Sequence, residues 1–189
     1  PICSLQNCNS NNGWCTTLPT LSLSGSEPIS GYNILAVEGS LNGQTFACSG
    51  STCDVPLNEG NNDFTFWALS SYGDSSEMGT LSAKVDTVSP ALGLDIIATS
   101  GSNGWYVSPA TITTIGSDST SGLSSVFLSV DNGAWISSTT LNEGMYSIVV
   151  QAEDNAGNIA NSTTTISVDT TTPTIDVSVN GTTGSNGWY

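Results

Sequence analysis

The sequence predicts an all-β chain of tandem antiparallel β-sandwiches, with about seven short strands to a unit. Three observations carry that prediction. The chain repeats itself at a period near 83 residues, which suits one small domain per unit and is too long for a helical solenoid. Apolar and polar residues alternate in short β-branched runs, and turn signals separate those runs every eight to twelve residues or so. No stretch shows a convincing helical apolar period. An up-and-down barrel is the lesser alternative.

The repeat is read from several landmarks. VDTVSP at Val85 to Pro90 returns as VDTTTP at Val168 to Pro173, and LNEG at Leu57 to Gly60 returns at Leu141 to Gly144. GSEPISG at Gly25 to Gly31 corresponds to GSDSTSG at Gly116 to Gly122. SNGWY at Ser102 to Tyr106 recurs at Ser185 to Tyr189, with a near copy, NNGWC, at Asn11 to Cys15. Pro1, Pro90 and Pro173 open the three copies as PIC, PAL and PTI. The expected organisation is a first, divergent, cysteine-bearing domain over 1–86 and a second over 87–169. Residues 170–189 are then the linker and first strand of a third, incomplete domain in a piece of a longer array.

The elements of the second unit follow in order. TITTIGS (Thr111 to Ser117) is β-branched and alternates, as does SVFLSV (Ser125 to Val130). DNG at Asp131 to Gly133 signals a type I′ hairpin, because both central positions need positive φ. In MYSIVVQA (Met145 to Ala152), Tyr146, Ile148, Val150 and Ala152 share one face. The DNAGN turn (Asp154 to Asn158) then leads into TTTISVD (Thr163 to Asp169). In the first unit, DFTFWAL (Asp63 to Leu69) turns Phe64, Phe66 and Ala68 inward and Trp67 outward.

Ser and Thr supply 55 of the 189 residues, and the chain has one Lys, no Arg and no His. Its net charge of −15 repels nucleic acid and anionic membrane surfaces, both of which call for basic side chains. An apolar content of 37% permits a core, and no apolar run is long enough to span a bilayer. Any targeting segment is expected upstream.

All five cysteines, Cys3, Cys8, Cys15, Cys48 and Cys53, lie in the first unit. Metal-type spacing is absent, so disulfides are the better reading. Cys48 and Cys53 flank SGST and would close a small loop. Two of Cys3, Cys8 and Cys15 would pair, leaving a thiol that is either buried and free or paired outside this piece. The second unit has none, so disulfides do not define the fold. Two N-x-S/T sequons, at Asn161 and Asn180, are candidate glycosylation sites.

The order NGWY, Thr-rich strand, D-x-x-S-G-L, V-D-N-G-x-W, E-G-x-Y, E-D-N-A-G-N and V-D-T-T-x-P resembles the bacterial Ig-like repeats of large secreted and surface proteins. The second unit matches throughout. The first matches at its ends and at LNEG, with Ser70 to Asp74 standing for Asp154 to Asn158. The resemblance implies Ig or fibronectin-type sandwiches used as spacers, adhesive modules or filament-building units, and no enzymatic activity. The alphabet agrees: without His there is no Ser-His-Asp or Cys-His pair, and one Lys with no Arg leaves nothing to clamp a phosphate. The second unit has no lysine, so it cannot form the intramolecular isopeptide bond some surface Ig-like domains use.

In such a sandwich the loop holding Asp118, the loop holding Glu153 and Asp154, and the incoming linker with Asp86 meet at one end. Two readings of these acids stay open. In the ordinary one, Asp118 and Asp154 are turn residues that hydrogen-bond their own backbone. In the other, the four carboxylates bind Ca²⁺ as hard oxygen ligands, at the ~0.1–1 mM affinity typical of extracellular modules. The first unit has Glu27 and Ser70 in place of Asp118 and Asp154.

Trp14, Trp105 and Trp188 follow Asn-Gly turns, and Trp135 follows the DNG hairpin. They are read as caps on the core ends, with sugar stacking as the other use. The exposed Trp67 is the interface candidate. The expected function is a non-catalytic structural module of an extracellular or cell-surface fibre, stalk or adhesin, including a filament-forming subunit. Its expected partners are other copies of itself, neighbouring repeats, glycans or cell surfaces, with no nucleic acid and no membrane insertion in this segment. The stretch Asp169 to Tyr189 would serve as a donor strand if chains polymerise. The alternative is a carbohydrate-binding accessory region of a secreted hydrolase, which needs two or three tryptophans on one open face.

Overall fold

The computed structural model describes residues 1–188; Tyr189, the end of the last SNGWY motif, lies outside them. Both full units fold as two-sheet sandwiches. The first contains β1 (Ile2–Gln6), β2 (Ser10–Asn11), β3 (Trp14–Cys15), β4 (Thr20–Ser24), β5 (Ile34–Leu41), β6 (Gln44–Ser49), β7 (Thr52–Pro56), β8 (Gly60–Ser70) and β9 (Gly79–Val85). The second contains β10 (Ala91–Ile97), β11 (Trp105–Tyr106), β12 (Ala110–Ser117), β13 (Leu123–Val130), β14 (Ser138–Leu141), β15 (Gly144–Asp154) and β16 (Ile159–Val168).

The sheets are β1-β4-β7 and β2-β3-β9-β8-β5-β6 in the first unit, and β10-β12-β14 and β11-β16-β15-β13 in the second. Each core lies between its two sheets. Leu21, Leu23, Val37, Phe64, Phe66 and Val85 fill the first, and Ala110, Ile112, Leu128, Ile148, Val150 and Val168 the second. The inward set on β8 is the one the alternation predicts, since Phe64, Phe66 and Ala68 are all buried.

The sandwiches are not purely antiparallel. β3 runs parallel to β9 through Cys15↔Val85, and β11 parallel to β16 through Trp105↔Ser167. The chain crosses from one sheet to the other after β1 and after β10, and the NGW turn then reverses it tightly: Asn12 and Gly13, between the paired β2 and β3, and again Asn103 and Gly104, inside the Ser100↔Tyr106 bridge, take positive φ. Asn186 and Gly187 adopt the same left-handed pair, so this turn is encoded locally. At the predicted type I′ hairpin, Asp131 and Asn132 have φ of 49° and 61°, and Gly133 N–H donates to Val130 O at 2.8 Å.

Residues 169–188 contain no strand, only a short 3₁₀ turn at Ser185–Gly187. The strand expected in 170–189 alternates correctly, but it has no neighbour to complete a ladder. Disulfides join Cys8 to Cys15 and Cys48 to Cys53. The second links edge strand β6 of one sheet to edge strand β7 of the other. Cys3 is the free thiol and is exposed, which corrects the buried alternative: it sits on β1, where Leu5 alone is even partly buried.

Candidate functional site

The site is the joint between the units, and it is built from the linker that starts at Asp86. The parallel β3–β9 pairing delivers Asp86 N–H to Cys15 O at 3.0 Å. Glu59 of the LNEG motif then clasps the next residue: Thr87 N–H donates to Glu59 Oε2 at 3.1 Å, and the Thr87 hydroxyl donates to Glu59 Oε1. These bonds tie the linker to the first unit. Other bonds tie it to the second. Ser121 N–H donates to Asp86 Oδ2 at 2.9 Å, and the Asn158 amide Nδ2 donates to Asp86 O at 3.0 Å. A direct contact spans the units where Asn12 Nδ2 donates to Asn155 O at 3.2 Å. A Cβ added at Gly157 would lie 1.8 Å from Asn11 Nδ2, so the two turns touch closely.

The carboxylates of Asp86, Asp118 and Asp154 converge here, with one oxygen of each within 4.8 Å of the others. Asp86 and Asp154 are 0% and 1% exposed. Glu153 is not among them. It is the residue before Asp154 on β15, and adjacent strand residues point to opposite faces. The grouped acids do cap their own turns. Asp118 Oδ1 accepts N–H bonds from Thr120, Ser121 and Gly122 at 2.8–3.0 Å. Asp154 accepts from Asn158 N and Nδ2, both at 2.9 Å. Backbone dipoles therefore meet part of the charge, and Asp118 Oδ2 is left without a donor among the described residues. The only side-chain cation, Lys84, stands over the Trp14 ring with its Nζ 5.3 Å from the centroid. Three hard-oxygen donors around desolvated negative charge are a donor set that fits Ca²⁺. Asp86, Asp118 and Asp154 would hold the ion, with further oxygens completing its shell, and its charge would offset their mutual repulsion.

The same linker geometry occurs a second time. Asp169 N–H donates to Tyr106 O at 2.9 Å. Thr170 N–H and Oγ1 donate to Glu143 Oε2 at 3.1 and 2.8 Å, and Thr171 Oγ1 donates to Glu143 at 3.0 Å. Thr171 N–H donates to Asp169 Oδ1 at 3.0 Å, as Val88 N–H does to Asp86 Oδ1 at 3.1 Å. The hydroxyls of Thr170 and Thr171, then the Thr170 amide, hold the Glu143 carboxyl below the usual glutamate range. Neither glutamate is legible as a clasp in the sequence, although the recurrence of LNEG beside VDT is its trace.

The matching end of the first unit is chemically different. Ser70 to Asp74 forms the same turn as Asp154 to Asn158: Ser70 N–H bonds Asp74 O as Asp154 N–H bonds Asn158 O, and Gly73 and Gly157 have φ of 90° and 91°. Buried Ser70 stands in for Asp154, however, and Tyr32 packs edge-on against Tyr72 with ring centroids 4.5 Å apart.

The second unit's two sheets and the DNAGN and D-x-x-S-G loops joined at this site have a counterpart in a known family. Residues 99–170 match the family model of the bacterial Ig-like domain. Over those residues the second unit is similar to the bacterial Ig-like domain family. The match takes in Asp118, Asp154, Glu143 and Thr170 and begins after Asp86, so the joint lies partly outside it. Among solved structures, the chain is similar to one described as Clostridium thermocellum CbhA fibronectin(III)-like modules, at 18% identity over 88% of this chain and 94% of that one, with a TM-score of 0.36. No curated protein matches the chain.

The remaining expected site residues are scattered. Trp67 is only half-buried and is already engaged, its indole N–H donating to cross-strand Glu38 at 3.1 Å. Trp67 points outward as the alternation predicts, but it is half-buried and not fully exposed, because Glu38 stands opposite it in the β5–β8 register. Trp105 and Trp135 are exposed. Trp105 sits on edge strand β11 and Trp135 beyond the end of β13, at opposite edges of the same four-stranded sheet. Asn161 and Asn180 are exposed, and Asn161 Oδ1 accepts from Gln151 Nε2 at 2.9 Å.

Proposed function

We propose that this chain is a non-catalytic, load-transmitting segment of an extracellular or cell-surface stalk, fibre or adhesin, in which Ca²⁺ clamps the joint between successive Ig-like units. One observation carries the reading. The linker residue Asp86 is 0% exposed and hydrogen-bonded to both units, which is how a spacer holds one angle instead of hinging. The net charge of −15 and the two disulfides support an oxidising, aqueous setting. The ion acts electrostatically: a divalent cation at three carboxylates makes the linked geometry the favourable one and stiffens the stalk. Its neighbours in this reading are further units of the same kind.

Equilibrium dialysis against Ca²⁺ tests the clamp, with one ion expected per chain at about 0.1–1 mM affinity. No binding at several millimolar would remove calcium from the account. Immunogold labelling of native cells tests the setting: surface label is expected, and label confined to the cytoplasm would overturn it.

A further inference from the structure

The two units finish the same end of the sandwich differently. In the second, the D-N-A-G-N turn folds over the D-x-x-S-G loop and shuts it. Asn155 N–H donates to Gly122 O at 2.8 Å, Asn155 Nδ2 to Ser121 O at 2.9 Å, and Ala156 N–H to Ser121 Oγ at 3.1 Å. Ala156 is 0% exposed as a result. In the first unit Tyr72 occupies the position of Ala156 and is 74% exposed. The corresponding turn is tied across by Ser71 N–H to Asn33 O at 2.8 Å. Between these loops lies a half-open cavity of about 340 Å³, walled by Glu27, Ile29, Tyr32, Ser70, Tyr72 and Asp74 among others.

The lining points to one charge type. Tyr32 and Tyr72 meet edge to face and form an aromatic wall, and the face of such a ring attracts a cation through its quadrupole. Glu27 and Asp74 add two carboxylates, neither of which accepts a hydrogen bond among the described residues. The second-unit counterpart of Glu27 is Asp118, whose Oδ1 is already engaged by three N–H groups of its own loop. No basic side chain lines the cavity. Its volume is at the lower end of the range for ligand sites, about 300–1,000 Å³, which suits a single side chain. Ile29, 60% exposed, offers apolar contact to whatever flanks that side chain.

We propose that this cavity binds one basic side chain, lysine or arginine, of a partner protein. The Glu27 and Asp74 carboxylates would hold its charged head, and the tyrosines would cover its aliphatic stem. A second copy of this chain does not supply the group: the chain has one Lys and no Arg, and Lys84 stands over the Trp14 ring. The partner is a different protein with exposed basic residues, so the first unit has a recognition role separate from the joint. The proposal does not depend on calcium, and its failure leaves the reading of the joint as it stands.

The test titrates the full chain with terminally blocked Gly-Lys-Gly and Gly-Arg-Gly peptides, in about 0.15 M salt to screen diffuse attraction to the acidic surface. NMR follows the amides of 26–34 and 70–76 and the rings of Tyr32 and Tyr72. Saturable shifts confined to those residues are expected, with acetyl-lysine and citrulline versions of the peptides binding about 10-fold more weakly or less. Tyr72→Ala should weaken binding about 10-fold, and so should Glu27→Gln combined with Asp74→Asn. The second variant is near-isosteric and keeps the test valid if the first disturbs the loop. Asp95→Asn, which removes an exposed charge on β10 of the second unit, should leave binding unchanged. The proposal is overturned if the neutral peptides bind as well as the basic ones, or if Asp95→Asn weakens binding as much as Glu27→Gln does. It is equally overturned if cellobiose shifts the cavity signals while the basic peptides do not, or if no peptide shift localises there.

Discussion

Replacing Asp118 with Asn is the most informative single change, because its stabilising effect in chelator should shrink or vanish with calcium. Asp118 Oδ1 accepts three backbone N–H bonds, while Oδ2 has no donor among the described residues. Asn therefore keeps the loop cap with Oδ1 and places its Nδ2 where Oδ2 stood, losing charge and little else. With the three carboxylates within 4.8 Å of one another, each pair repels by about 3.5 kcal/mol at an effective dielectric of about 20. Asp118 is partly exposed, and solvent and salt screen its share substantially. The net gain in chelator should be about 1–3 kcal/mol, or several degrees in the melting temperature of a unit this size. In wild type, about 5 mM Ca²⁺ at an affinity of ~0.1–1 mM should add about 1–2 kcal/mol by linkage. The variant, with one ligand of three gone, should lose most of that increment. Thermal unfolding of both proteins, each with chelator and with Ca²⁺, measures all four values. The reasoning is refuted if Asp118→Asn destabilises in chelator, or if it retains the full wild-type response to calcium.

Three further outcomes follow. Gly157→Ala should cost about 1–2 kcal/mol through its left-handed backbone and also push Asn11 away, opening the joint. Gly73→Ala has the same φ but open space around it, so it should cost similar stability with no change in inter-unit angle by small-angle scattering; equal angles in both variants would contradict the contact. The Glu143 carboxyl, held low by Thr170 and Thr171, should titrate below free glutamate by carboxyl ¹³C NMR. A depressed folded value means the clasp's contribution is complete above the ordinary glutamate range and is lost as pH falls through the lower folded value. A midpoint at or above that of free glutamate would contradict the clasp. Changing Cys48→Ser and Cys53→Ser together should lower first-unit stability by about 2 kcal/mol, the loop-entropy value for so short a closure, and leave the second unit's unfolding unchanged.

Much of this was legible in the residues, and what was hidden was hidden for identifiable reasons. The period-two faces of β8 and β15 are local patterns, so Phe64, Phe66, Ile148 and Val150 are readable as core directly. Asp-Asn-Gly and Asn-Gly-Trp specify their turns through positive φ, which few other residues tolerate. The meeting of Asp86, Asp118 and Asp154 follows from sandwich topology and so was foreseeable. The exclusion of Glu153 depends on the phase of one strand at its last residue. Trp67 reads as exposed by alternation alone, because its cover comes from Glu38, 29 residues away across the β5–β8 ladder. The glutamate clasps are equally non-local: Glu59 and Thr87 are 28 residues apart, and only the repetition of both landmarks hints that they meet. The change to parallel pairing at β3 and β11 comes from a chain that crosses between sheets, which hydrophobic pattern does not record.

The central claim is that the linker sets one angle between the two Ig-like units and that calcium secures it. Residual dipolar couplings on the intact chain, collected in about 5 mM Ca²⁺ and again in chelator, test it most directly. The account predicts that both units share one alignment tensor with calcium, and that the tensors diverge in magnitude once it is removed. Different tensors in the presence of calcium, or a single shared tensor under both conditions, would contradict it.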